Sequence, residues 1–290
     1  EESDKNGLIL DIDDDCKMCF DICHKDPQIT FCKYIFRTTV IHNLLTLKCT
    51  NDNNKIFTYD HKAHHNANST SFYDGNIYLR DIIFIKDGIK CNPKRVDVYA
   101  GKLLLKTWFF QVMLPSETYS FLCCLPVSNI ENIKIVTNDD NCIVNDVFLN
   151  IIYEKNMTPI KEFQKMDCTY VLLYEGNEKS FILPNDEEGY FSDIRIYSKN
   201  IEDISHVSIK LNDFILFEKT PISLNKVDVS LANFELGESQ GQMRHGSLLN
   251  DSNTLRFDLE TKPDTNIKVF GKKLMLISLG EKTGHVTYLD

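Results

Sequence analysis

VSIKLNDFILF, residues 207–217, decides the fold class. Val207, Ile209 and Leu211 alternate with Ser208 and Lys210, a period of two with one apolar face, as in a half-buried strand. Asn212-Asp213 then supplies turn chemistry before a second apolar run, Phe214–Phe217, so the stretch reads as a hairpin. The same grammar recurs along the chain. Leu255, Phe257 and Leu259 alternate with Arg256 and Asp258, and Asp87-Gly88 separates Ile82–Lys86 from Ile89–Cys91. Lys102–Val112, Asn132–Val136, Tyr170–Tyr174, Asp193–Ser198, Ile267–Phe270 and Leu274–Leu279 are further strand candidates. Helical periodicity is scarce; the one short helix predicted covers Asn156–Lys165. Many short strands joined by polar turns predict an all-β protein of two tandem β-sandwich domains, residues 1–160 and 161–290. Strand patterning lapses between Lys155 and Met166, and the boundary is placed there.

At 290 residues, the chain is long enough for two ordinary cores. Apolar residues make up 42% of it, which excludes a disordered tail. The net charge of -10 repels phosphate backbones, and no basic cluster with interleaved aromatics offsets it, so nucleic-acid binding is excluded as a function. The longest apolar stretch, Leu103–Leu114, is interrupted by Lys106 and Gln111 and is too short to span a bilayer. No cleavable leader precedes Glu1 and no lipid-anchor tail closes the chain, which is therefore read as a mature, unanchored form.

All ten cysteines (Cys16, Cys19, Cys23, Cys32, Cys49, Cys91, Cys123, Cys124, Cys142 and Cys168) lie in the first 168 residues. Three readings compete for them. Cys16, Cys19, Cys23 and His24 crowd four potential metal ligands together, but a zinc site usually draws on two separated knuckles, and haem attachment needs a different spacing. Cys23 with His24 has the residue types of a thiol and its base, yet neighbours on a strand point to opposite faces. His61, His64 and His65 stand beside Asn66 and Asn68 and read as an exposed polar loop. A disulfide framework in an oxidising compartment is the simplest reading, with the first domain disulfide-rich and the second nearly cysteine-free. It gives neither a metal site nor a cofactor. The sequons at Asn68, Asn156 and Asn250 agree with secretion and mark candidate N-glycosylation sites.

Several of these residues resemble the six-cysteine domain family of malaria-parasite surface proteins. Leu45-Thr-Leu-Lys-Cys49 is similar to the family strand that carries the third cysteine, and Cys91 falls where a fourth would. Leu114-Pro115 followed by Tyr119-Ser-Phe-Leu-Cys-Cys124 resembles the strand that ends in the closing pair, and Asp167-Cys168-Thr169 the opening of a second domain. Heavy use of Asn, Ile and Lys, with few Arg, fits an AT-rich source. The sequence departs from the family in that Cys123 and Cys124 are adjacent, and Cys16, Cys19, Cys142 and Cys168 are surplus. The family's pairing, carried over, implies Cys23–Cys32, Cys49–Cys124 and Cys91–Cys123, with Cys16 or Cys19 as rivals for the first position.

The resemblance implies a non-enzymatic secreted protein at the parasite surface, an adhesin or assembly module. It would dock other secreted or membrane-anchored surface proteins at the host-cell contact, with a disulfide-linked heterodimer as one form. It would be extracellular and reach membranes only through a partner. Trp108, Phe109 and Phe110 keep open a secreted carbohydrate binder or hydrolase, although such a run on a strand more often packs a core. A soluble decoy for a host ligand is a third reading.

Overall fold

The computed structural model describes residues 2–3, 9–10, 41–60, 75–115, 117–125, 132–155, 158, 160–221, 227–230, 247–280 and 284–289. Among these the chain is all-β, with strands in several sheets and only single turns of 3-10 helix besides. A two-residue pair, β1 (Glu2–Ser3) and β2 (Ile9–Leu10), stands apart.

Two sheets form the front pair. One has the order β10 (Ser120–Leu125), β6 (Gly75–Lys86), β12 (Asp146–Lys155), β3 (Ile41–Lys48), with β7 (Ile89–Cys91) also on β6. The other runs β4 (Thr50–Asn51), β5 (Ile56–Asp60), β11 (Asn132–Thr137), β8 (Arg95–Ala100), β9 (Leu103–Phe109). Phe57, Val98 and Ile135 from one sheet and Leu79, Phe84 and Leu149 from the other are buried in one core. Trp108 sits inside it, edge-on to Tyr119 and Phe121, as a core aromatic and not a sugar-stacking face.

Two further sheets form the rear pair. The first is β13 (Glu162–Gly176), β21 (Ile267–Gly280), β15 (Gly189–Tyr197), β18 (Val227–Ser230), with β19 (Ser247–Leu249) on β15 and β22 (Gly284–Tyr288) on β21. The second is β14 (Ser180–Leu183), β20 (Leu255–Thr261), β16 (Ile204–Leu211), β17 (Phe214–Pro221). Their shared core is stacked aromatically by Tyr174, Phe181 and Phe257.

The hairpins fall where the turn residues put them. Asp87 and Gly88 take φ of 51° and 78°, and Asn212 takes φ 51°; glycine and asparagine tolerate this left-handed backbone better than other residues do. Residues 162–165, predicted as the end of a helix, instead open β13, paired with β21 from Glu162 opposite Gly280. The rest of the predicted helix falls partly outside the described residues. A long partner strand offering a full ladder outweighs a short helical pattern, because tertiary pairing overrides weak local propensity. Likewise Ile267–Phe270 and Leu274–Leu279 are two ends of one strand.

That strand joins the two cores. β21 gives Ile267 and Val269 to the rear core, and Phe270, Met275, Ile277 and Leu279 to the front one. Gly271 follows Phe270, and a Cβ there would lie 2.6 Å from Phe191 Cδ1 and 2.8 Å from Leu173 Cδ1. Register shifts in both flanking ladders, at Leu172/Tyr174 and Phe191/Asp193, bracket the same point. Gly271→Ala therefore forces a packed ring to move and is expected to cost about 1–3 kcal/mol. Urea unfolding with an unchanged m-value would check it, and a neutral substitution would show that Phe191 has room to give.

Candidate functional site: a buried polar seam between the sheet pairs

β9 runs against β13, and the loop before β10 meets β15 and β21 through Val112 and Glu117. Chemistry concentrates along that joint. The loop from the front pair brings Glu117, and the rear sheet brings Tyr170 on β13, Asp193 and Arg195 on β15, and Lys272 on β21. Arg195 is fully buried, at 2% side-chain exposure. Its Nη1 donates to Glu117 Oε2 at 2.8 Å, to Val112 O at 2.7 Å and to the Tyr170 hydroxyl at 2.9 Å, and its Nη2 donates to Glu117 Oε1 at 3.0 Å. The Tyr170 hydroxyl donates to Glu117 Oε2 at 2.6 Å, and the Leu114 N–H adds a bond of 3.0 Å. Lys272 Nζ donates to Glu117 Oε1 and lies 3.6 Å from Asp193 Oδ2. Two carboxylates face two cations, so the cluster is neutral and the buried charges are compensated.

A second knot lies further along the seam. Lys106 Nζ donates to Asp167 Oδ1 at 2.8 Å, and Lys165 Nζ is 3.0 Å from Asp167 Oδ2. The Thr107 N–H donates to Thr169 Oγ1 at 2.8 Å, and Thr107 Oγ1 donates to Asp97 Oδ1 at 2.6 Å. Lys106 also lies over the Trp108 and Phe121 rings, at 5.4 and 5.5 Å from their centroids.

Burial by itself would raise the Glu117 carboxyl. The bonds from Arg195, Lys272, Tyr170 and the Leu114 backbone reverse this and hold it well below its ordinary value of 4.5. Asp167 is lowered in the same way, burial being outweighed by Lys106 and Lys165. Tyr170 is raised by burial and by its bond to Glu117. The charged groups Glu117, Asp167, Asp193, Arg195, Lys106 and Lys272 are aimed at one another, which makes the seam a joint between sheets and not a reaction centre.

The arrangement nearest to a catalytic constellation lies elsewhere. A groove of about 240 Å³ is lined by residues including Lys179, Ser180, His206, Lys219 and Glu260. His206 Nδ1 lies 3.2 Å from Ser205 Oγ and 3.1 Å from Glu260 Oε2. A nucleophile–base–acid relay needs its two partners on opposite ring nitrogens, whereas here both meet Nδ1. Among the described residues no group of three or more His, Cys, Asp or Glu is placed to hold a metal ion.

The cysteines are not gathered as the sequence suggested. Cys16, Cys19, Cys23 and Cys32 lie outside the described residues, as do His24, His61, His64, His65, Asn68 and Asn156. Cys49, Cys91, Cys123, Cys124, Cys142 and Cys168 are all free thiols, so the expectation of a disulfide-rich front half is corrected. Cys91 faces Phe84 and Cys123 faces Leu79 along the same strand, β6. At about 3.4 Å per residue that separates them by roughly 17 Å, against the ~7 Å limit for a disulfide. Cys49 follows β3, three strands from the β10 that carries Cys124, or about 14 Å sideways at strand spacing. Burial pushes the Cys49, Cys123 and Cys124 thiols up to about 12, which makes them inert. Cys168 is raised as well, again by burial, and lies between the two knots of the seam. Asn250 is half-buried, and its side-chain oxygen accepts the N–H groups of Ser252 and Asn253 at 2.9 and 3.0 Å.

Sequence reasoning missed Glu117, Tyr170, Asp193, Arg195 and Lys272. One signal was present. Arg195 stands between Ile194 and Ile196 in a strand with little polar alternation, and a charge in a doubly buried strand calls for a distant counter-charge.

No family model and no curated protein matches the chain. Solved viral structures, capsid proteins among them, align with it. PBCV-1 VP54, fitted into a reconstruction of the virophage Sputnik, is 8% identical with a TM-score of 0.45, covering 88% of this chain and 98% of that one. The major capsid protein of bacteriophage PM2 is 10% identical, TM-score 0.47, covering 83% and 97%. The mavirus major capsid protein is 9% identical, TM-score 0.39, covering 85% and 90%. These overlays are too loose to carry a role across. The six-cysteine family is not among the neighbours described, and the free thiols remove the framework on which that resemblance rested. With it go the expectations of a glycosylated, secreted parasite-surface adhesin, of partners at the parasite surface, and of a place at the host-cell contact.

The seam has a pH signature. A carboxylate depressed in the folded state gives up stability as pH falls, because the unfolded chain takes up the proton first. Stability from Glu117 and Asp167 is therefore complete above their ordinary values and declines progressively below about pH 4.5. Glu117→Gln is expected to cost about 3–5 kcal/mol near neutral pH, by leaving Arg195 and Lys272 uncompensated, and to flatten the acid limb. Chemical unfolding of both forms from pH 7 to pH 3 tests this; equal slopes would remove Glu117 as the titrating group.

Proposed function

We propose that the chain is a non-enzymatic structural protein: two β-sandwiches locked into one rigid block that works by associating with further copies of itself. The buried seam carries this reading. Its ionisable groups fix one sandwich against the other and leave no acid, base or nucleophile poised over a cavity. Rigidity across a joint is what a building block needs and what a hinged enzyme lacks.

The rear pair supports association with a second copy. β17 exposes Phe214 (63%) and Ile215 (48%), and Ile182 on β14 is 53% exposed. Register places Ile182, Arg256, Lys210 and Ile215 in one row across the sheet. Apolar groups flanking two cations suit an acidic partner surface, and a chain of net charge -10 supplies one in its own copies. Sedimentation velocity over a concentration series is expected to show self-association that the double substitution Phe214→Ser, Ile215→Ser weakens at least tenfold. A wild-type chain that stays monomeric throughout, or turnover in a hydrolase screen, would sink the reading.

A further inference from the structure

Cys91 and Cys142 occupy a junction that the front pair reaches from two directions. Cys91 ends β7, opposite Phe84, and Cys142 lies in the connection from β11 to β12. Short bonds tie the two segments. The Asn138 N–H donates to Arg95 O at 3.0 Å and the Lys94 N–H donates to Asp139 Oδ2 at 3.1 Å, while within the β11–β12 connection the Cys142 N–H donates to Asp139 O at 3.3 Å. Three residues on, the Asn145 N–H donates to Ile85 O at 2.9 Å. Within this frame the two thiols lie near enough that Cys142 raises the electrostatic cost of ionising Cys91, and both pack against the front core. Tyr119, whose hydroxyl donates to Pro93 O at 2.8 Å, lies beside both. Both cysteines are half-buried against the front core, so a small reagent can reach them, whereas Cys49, Cys123 and Cys124 are sealed in.

We propose that Cys91 and Cys142 are a dithiol modification site, which a small external disulfide such as oxidised glutathione closes into an intramolecular bridge. The Cys142 thiolate attacks one glutathione sulfur, forming a mixed disulfide as the glutathione S–S bond breaks and one glutathione thiolate leaves. The Cys91 sulfur then attacks Cys142 Sγ, the mixed bond breaks, and the second glutathione leaves. The protein is oxidised by two electrons, the small disulfide is reduced by two, and the two glutathione thiolates take up the protons that the cysteines lose. Burial holds the Cys91 thiol up at about 12, which suits Cys91 to the resolving step, and closure quickens as pH rises. The bridge pins β7 to the β11–β12 connection and matches none of the pairs that the six-cysteine resemblance implied. It stands independently of the building-block reading.

The test uses the folded, full chain treated with oxidised glutathione at mildly alkaline pH, blocked with iodoacetamide and digested with trypsin without reduction. Trypsin releases Cys91–Lys94 and Ile135–Lys155, each with a single cysteine. The expected product is those two peptides joined in one species that separates on reduction. Recovery of the two apart, whether alkylated or as separate glutathione adducts, or joined to other cysteines, overturns the proposal. A thermal readout covers the variant: oxidised glutathione is expected to raise the wild-type Tm and to leave that of Cys142→Ser unmoved. An equal rise in both would place the reaction at other thiols.

Discussion

A guanidinium buried as deeply as Arg195 has to be answered by a carboxylate, and the rear sheet does not answer it alone. Asp193, on the same strand, stands 3.7 Å from Arg195 Nη2, while the two close bonds come from Glu117 on the loop before β10. The rear sheet therefore satisfies its most costly buried group only when the front pair is docked in one alignment. Against an apolar joint such a cluster gains little net stability, because desolvation offsets attraction. Losing one partner, by contrast, costs the full burial of the other. The asymmetry turns the cluster into a register pin.

Apolar packing follows the same line. β21 is long enough to serve both cores, and the side chains it gives to the front core, Phe270, Met275, Ile277 and Leu279, flank Lys272 and Lys273 in sequence. Phe109 and Phe270 meet across the joint with centroids 4.8 Å apart. Hydrophobic contact holds the two pairs together without preferring one offset strongly, and the ion pairs choose among offsets. The outward faces are then free of structural duty, which is where an assembling protein would use them.

The cysteines show how a composition argument can mislead. Ten thiols with irregular spacing resemble a disulfide framework, and adjacent Cys123 and Cys124 resemble a closing pair. Strand register decides otherwise. Neighbouring cysteines on β10 turn to opposite sides, and their supposed partners sit several residues or several strands away. A sequence spacing says nothing of which strands become neighbours, and a disulfide tolerates only a few ångströms of error. The approach of the Cys91 and Cys142 segments was invisible for the same reason, since it depends on how the β11–β12 connection, through Asp139, bonds Lys94.

What the sequence determined by itself is local. Period-two alternation at Val207–Leu211 and Leu255–Leu259, turn chemistry at Asp87-Gly88 and Asn212-Asp213, and an apolar run at Trp108 were enough to specify strands, hairpins and a core aromatic. Each depends on neighbours two to four residues apart, and backbone sterics act at that range. The seam was left to the tertiary structure. Glu117 and Arg195 are 78 residues apart, and Glu117 and Lys272 are 155 apart. Coulomb attraction has no sequence signature at such separations; it acts only after the sheets have brought the charges within a few ångströms and excluded the water between them.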